Sequence, residues 1–355
     1  MHTLITRHFE KQGSLFCKHL SEYTRALMQC GEANTYGIAR QLSKNNNKSF
    51  DTNEMKIVRF LQNDKFQIDD KFWRCHINMI FEMLEERKVI SKSKKIEIYV
   101  DFTTVEDKFL ILTGTVLLNN KAITIYFSMR NYPKKKGTMS QIKMEEAFIK
   151  GLRHVLSKNY QYIIIADRGF GTKRFANFCT KSGFDYVLRI NSNLNIKEGD
   201  KKSNLKDRLG DEKFTATVIS WKEEKYITIR CKDKKIWYLM SSDKKLDAGE
   251  IYEKRFKIEK NYQDCKSNGY DLEGNKIRKY NRFKRLVYLV SIAHGLTCFI
   301  GDMIESTKNN LKKNSTTPKS QNLSLILAFS ELDMKLSDPF LKNPLCCYDE
   351  YSYHD

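Results

Sequence analysis

The chain has no C-x-x-C pair and no H-x-x-x-H pair, although it carries nine cysteines and seven histidines among 355 residues. Cysteines that are odd in number and irregularly spaced argue against a disulfide framework and against structural zinc. They imply reduced thiols in a reducing compartment. The opening residues MHTLITRHFEKQ lack the apolar stretch of a signal peptide, so a non-secreted, cytoplasmic protein is expected. The most apolar run, Leu286 to Gly301, is interrupted by His294 and falls short of the roughly 18 residues needed to cross a bilayer. It reads as a buried core helix, and a membrane is not an expected partner. No internal repeat is visible. What the chain has in excess is positive charge: 63 Lys and Arg against 43 Asp and Glu, a formal +20. Abundant Lys, Asn and Ile fit an AT-rich coding bias, and a ribosome-associated protein would also be basic. The commonest partner of so basic a soluble chain is nucleic acid, because each neutralised phosphate releases condensed counterions.

Hydrophobic residues make up 41% of the sequence, enough for a substantial core and for two or three domains. Residues 1–90 carry helical periodicity. Within them TYGIARQLSKNNNKSFDTNEMKIVRFLQ reads as helix, polar turn, helix, with Asp51 or Thr52 as the second cap. This allows a helix-turn-helix reader of DNA or an ordinary helical bundle, the turn being longer than the usual three or four residues. From residue 96 three β-rich runs follow, 96–102, 109–118 and 122–129, separated by short polar gaps as in an antiparallel meander. A helix (about 140–158), an apolar strand ending in ADRGFG, a helix (about 172–182) and the strand FDYVLRI come next. The expected catalytic region, 91–305, is therefore a mixed α/β sheet covered by helices. A β-rich insertion at about 191–243 interrupts it, and helices at about 248–266 and 283–305 complete it. Residues 306–355 read as a polar linker and a short tail.

Asp101 follows Ile98-Tyr99-Val100, and Asp167 follows Ile163-Ile164-Ile165-Ala166. Each lies at or near the carboxyl end of a strand that looks buried on both faces, where open α/β sheets place their ligands. A lone aspartate there is more often a turn or helix cap. Gly169 and Gly171 indicate a tight turn with close backbone approach. In IYEKRFKIEKNYQDCKS, Tyr252, Arg255, Glu259 and Lys266 fall within a stripe about 60° wide when wound at about 100° per residue. Such a stripe offers one carboxylate flanked by groups that grip phosphate. Asp101, Asp167 and Glu259 form a set of hard oxygen ligands suited to Mg²⁺ or Mn²⁺. Two such ions could activate the attacking oxygen and stabilise the leaving oxygen of a phosphoryl transfer. Tyr252, Arg255 and Lys266 would hold a nucleic-acid backbone, and residues 250–285 agree in charge, with 11 basic and 6 acidic side chains.

These residues resemble the DDE transposases of bacterial insertion sequences, in particular the insertion-sequence-four type. That group is defined by the signature Y-x2-R-x3-E-x6-K, met here by Tyr252, Arg255, Glu259 and Lys266 with every spacing kept. The contexts YVDF of Asp101, IADRGFG of Asp167 and the downstream GYDLE are also similar, and the likeness runs from about 96 to about 305. The resemblance implies a ribonuclease-H-like fold with Asp101 on the first strand, Asp167 on the fourth and Glu259 on a following helix. It also implies a tryptophan in the β insertion that stacks on a base flipped from the transposon end. Trp237 in WYLMSS matches that context, although it stands only 15 residues before Tyr252. As ordinary structure, Trp237 would be a strand core residue and Trp221 a hairpin-edge aromatic. By resemblance the chemistry is metal-dependent cleavage at terminal inverted repeats, then strand transfer into target DNA by a cut-and-paste route, by a homodimer that pairs two ends. The alternatives are an inactive DNA-binding relic or regulator, and a nuclease of the same fold that cuts without joining.

Overall fold

The computed structural model describes residues 1–133, 139–233, 235–258 and 269–313. Glu259 and Lys266 lie outside the described residues, as does the tail beyond 313. The chain divides into two compact units: residues 1–67 together with 263–355, and residues 68–262.

The first unit is helical. It contains α1 (His2–Phe9), α2 (Ser14–Cys30), α3 (Thr35–Asn46), α4 (Phe50–Gln62) and, from the far end of the sequence, a long helix (Tyr280–Lys313). Gly31, at φ 66°, ends α2 with its amide on the Leu27 carbonyl, and the Asn34 side chain caps α3. The turn between α3 and α4 is the three residues 47–49, shorter than the sequence suggested, because Asn47 adopts the left-handed conformation at φ 54°. Ser49, not Asp51 or Thr52, caps α4 by accepting from the Thr52 amide. Asn53 is fully buried at this corner, donating to Ser43 Oγ and Asn46 Oδ1, so a small polar network fixes the angle between the helices. The long helix exceeds the expected 283–305. By length and composition, residues 280–307 could cross a membrane, but 72% of the most apolar window is buried inside the structure, as in a core helix. Its buried Arg285 donates to the carbonyls of Leu61 and Phe66, each at 2.8 Å, which ties the end of α4 to it.

The second unit holds α5 (Asp70–Glu86) and a ten-stranded sheet. Its strands are β1 (Ile96–Val105), β2 (Phe109–Leu118), β3 (Lys121–Asn131), β4 (Tyr162–Ala166), β5 (Asp185–Arg189), β6 (Asn195–Glu198), β7 (Lys201–Asn204), β8 (Glu212–Val218), β9 (Glu223–Lys232) and β10 (Lys235–Ser241). Their spatial order is β3-β2-β1-β4-β5-β10-β9-β8-β6-β7. The first three are antiparallel, β1, β4 and β5 are parallel, and β10 returns antiparallel to β5. Helices α6 (Gln141–Val155) and α7 (Lys173–Lys181) cross between strands, α6 against β2 and β3 and α7 against β5. A mixed sheet of this kind, covered by helices and joined to a helical N-terminal region, is a ribonuclease-H-like arrangement. The β-rich insertion continues the central sheet, since β10 takes the free edge of β5. Helix α8 (Ala248–Glu253) packs on β5, β9 and β10.

Candidate active site

Strand register builds the site. Tyr99 pairs with Ile165, and Ile165 with Val187, in one row across β1, β4 and β5. All three side chains are fully buried in the cluster that also contains Ile251, Tyr252 and Ile258. Side chains two residues apart on a strand share a face. The next row on that face is therefore Asp101, Asp167 and Arg189, where burial gives way to partial exposure. The apolar row anchors the strands, at about 1.5–3 kcal/mol for each buried side chain, and the charged row rides on it.

Asp101 stands mid-strand in β1, which runs on to Val105, but the pairing of β1 with β4 ends one residue earlier, at Val100 and Ala166. The strands part there and leave room for polar groups. Each aspartate is fixed through one oxygen. Asp101 Oδ1 accepts from the Phe102 amide at 2.8 Å, and Asp167 Oδ1 accepts from the Gly169 amide at 2.9 Å. The other oxygens turn to Arg255, whose Nη2 lies 2.6 Å from Asp101 Oδ2 and 4.0 Å from Asp167 Oδ2. Those two distances hold the carboxylate oxygens no more than about 6.6 Å apart. The rings that follow the aspartates, Phe102 and Phe170, stack with centroids 5.2 Å apart, locking the end of β1 to the turn after β4. Gly171 is required in that turn: a Cβ there would sit 2.1 Å from the Arg189 carbonyl oxygen.

The expected long helix at 248–266 is interrupted: it is α-helical from Ala248 to Glu253, passes through a 3₁₀ turn at Lys254–Phe256 and is α-helical again at Lys257 and Ile258, where the described residues stop. Tyr252 lies in the last turn of α8 and Arg255 in the 3₁₀ turn that follows it. Both face the protein. Arg255 is 7% exposed and Tyr252 is fully buried, against the expectation that the phenol faces a bound strand. The Tyr252 hydroxyl makes no hydrogen bond of good geometry, but lies within electrostatic reach of Arg255, Arg189 and Asp167. Burial raises its pKa above the ordinary tyrosine value. Trp237 also lies in this core, 4% exposed, with its ring 5.6 Å from Tyr252 and 5.4 Å from Phe256. A ring held there has no open face for a base. Trp221 is 8% exposed.

Sequence reasoning passed over two residues. Arg189 completes the charged row, and its signal was the same as that of the aspartates, a charge after an apolar run. Phe256 is 41% exposed beside Trp237, an aromatic that the 3₁₀ turn points outward.

Among the described residues no group of three His, Cys, Asp or Glu side chains could hold a metal ion. Asp101 on β1 and Asp167 just past the end of β4 provide two hard oxygen donors, a set that suits a divalent cation and calls for one further carboxylate. No curated protein matches the chain. Residues 128–296 match the family described as the transposase DDE domain, a stretch that includes Asp167, Tyr252 and Arg255 and leaves Asp101 outside. Domains of that family act on DNA and generally use divalent metal ions, and the match supports a DDE transposase.

Proposed function

We propose that this protein is a transposase of the insertion-sequence-four type that cuts the terminal inverted repeats of a mobile element and joins them to target DNA by a cut-and-paste route. The observation that carries the reading is that Asp101 and Asp167, each one residue past the last registered pair of β1 and β4, both lie near the Arg255 guanidinium, at 2.6 and 4.0 Å. Asp101 and Asp167, with Glu259, would hold Mg²⁺ or Mn²⁺, in two ions. The metal supplies Lewis acidity to the reacting oxygens of the phosphodiester. The chain's own residues do the rest. The Phe102 and Gly169 amides orient the two carboxylates. Arg255 offsets their charge and is within reach to turn its guanidinium to a phosphate. Lys266 and Tyr252 are further DNA contacts in this reading, and for Tyr252 that requires the phenol to leave its buried position. Trp237 would need to swing out of the core to stack on a flipped base, which makes the exposed Phe256 the readier platform. A homodimer would pair two ends, and the reaction would take place in the cytoplasm of a bacterial cell.

The test uses labelled duplexes carrying the inverted repeats that flank the gene, with and without Mg²⁺. Metal-dependent cleavage followed by joining is the expected result. Cleavage without joining would make the protein a nuclease, and binding without cleavage would make it a relic or regulator.

A further inference from the structure

The helical unit contains a cleft of about 550 Å³ between the start of α3, one side of α4 and residues 274–282. Four cations line it: Lys276, Arg278, Lys279 and Arg282. Among the described residues, the one acidic side chain in its lining is Glu54. Lys276, Arg278 and Lys279 are exposed and, among the described residues, form no ion pair. Lys279 and Arg282 also line an adjoining hollow of about 510 Å³, where Arg285 is paired with Asp64 at 3.5 Å.

Three further features point the same way. Asn34 satisfies only the Gly37 amide at the start of α3, which leaves other first-turn N–H groups of that helix without an intrahelical partner at the cleft. The long helix beginning at Tyr280 has no acidic residue in its first turn, and instead places Lys279 and Arg282 at the positive end of its dipole. That placement is unfavourable by about 0.3–1 kcal/mol for each charge, so folding of the helix does not explain these cations. An anion seated at the helix start would offset that cost. Finally, Tyr36 stands 58% exposed in the lining, tilted against Phe50 at 5.0 Å, an aromatic surface suited to a sugar.

We propose that this cleft is a second DNA-contact surface, separate from the Asp101–Asp167 corner, which seats successive phosphates of one strand of a duplex. The proposal rests on the reading of the protein as one that acts on DNA. Four cations against one carboxylate suit a polyanion, and helix N-termini with Lys and Arg are the groups that grip DNA phosphates without reading bases. The cleft therefore contributes affinity and register, not sequence choice.

The experiment measures binding of the full chain to a labelled random-sequence duplex of about 30 base pairs, in EDTA, across a salt series. The triple variant Lys276→Ala/Arg278→Ala/Lys279→Ala should bind at least about tenfold more weakly near 0.1 M salt. Its salt slope should fall by about 2–3 units, near 0.9 per lost phosphate contact. Glu54→Gln should bind about two- to fivefold more tightly, a gain that a folding defect cannot produce. The exchange Lys276→Arg/Lys279→Arg should keep the wild-type slope. An unchanged slope in the triple variant overturns the proposal, as does displacement of the duplex by polyglutamate or a hairpin RNA at equal charge concentration. The outcome is independent of catalysis. Cleft-dependent binding without any cleavage would sink the active-site reading alone, whereas normal cleavage with an unchanged slope would sink the cleft alone.

Discussion

The acidic corner and the basic cleft handle charge in opposite ways. At the corner each carboxylate has one oxygen on a backbone amide and the other directed to Arg255, and a stacked phenylalanine pair locks the two peptides together. At the cleft the cations Lys276, Arg278 and Lys279 stand exposed on an irregular segment, with no ion pair among the described residues. Chemistry on a phosphodiester needs oxygens placed to within a fraction of an ångström, and only strand register and backbone hydrogen bonds provide that. Holding a polyanion needs charge density, which long flexible side chains supply without fixed geometry.

The contrast can be broken by substitution. Asp167→Asn keeps the shape and removes the charge. It should lower single-turnover cleavage of the inverted-repeat duplex by roughly 10³-fold and leave duplex affinity within about twofold. Wild-type cleavage by this variant would remove the corner from the chemistry. Gly171→Ala forces a methyl group against the Arg189 carbonyl and should cost about 1–3 kcal/mol, seen as a melting temperature several degrees lower. Lys279→Ala, in the cleft, should leave melting unchanged. Equal losses in both would mean that the cleft is as rigidly built as the corner.

Acid should separate the units as well. His76 of α5 is fully buried and donates Nε2–H to the Thr124 carbonyl at 2.9 Å, and burial lowers its pKa from 6.5 to about 4. The folded value lies below the unfolded one, so the neutral ring contributes stability above pH 6.5 that is lost as pH falls through about 4. Melting of the wild type should drop between pH 7.5 and 5 more than that of His76→Gln; equal drops would clear His76 of the effect. The smallest change expected is from Tyr252→Phe. It removes a buried hydroxyl that makes no hydrogen bond of good geometry, so melting should stay the same or rise by up to about 1 kcal/mol. A clear loss of stability would show that the hydroxyl is held.

Much of the strand unit could be read from sequence, because β-branched runs with a period of two are local signals. Asp101 and Asp167 stood out as charges that end apolar runs. Arg189 carried the same signal after Tyr186-Val187-Leu188 but was passed over, because a search for metal ligands looks for carboxylates and not for a cation. The inward direction of Tyr252 was hidden by the 3₁₀ turn, which changes the angular step partway along the stripe. Ser49, Asp51 and Thr52 are all competent caps within four residues, and only the left-handed Asn47 decides among them. The cleft was beyond reach of a linear reading, because its walls are separated by more than 200 positions of chain.

The side-by-side alignment of β1, β4 and β5 also sets what kinds of change this protein can absorb. Substitutions along β4 alter packing by degrees, but deleting one residue between Tyr162 and Ala166 would rotate everything downstream by half a pleat. The Asp167 carboxylate would then take the position of Ala166 on the opposite face of the sheet, and Arg168 would stand where the carboxylate had been. Length, more than composition, is the property of these five residues that descent must leave untouched.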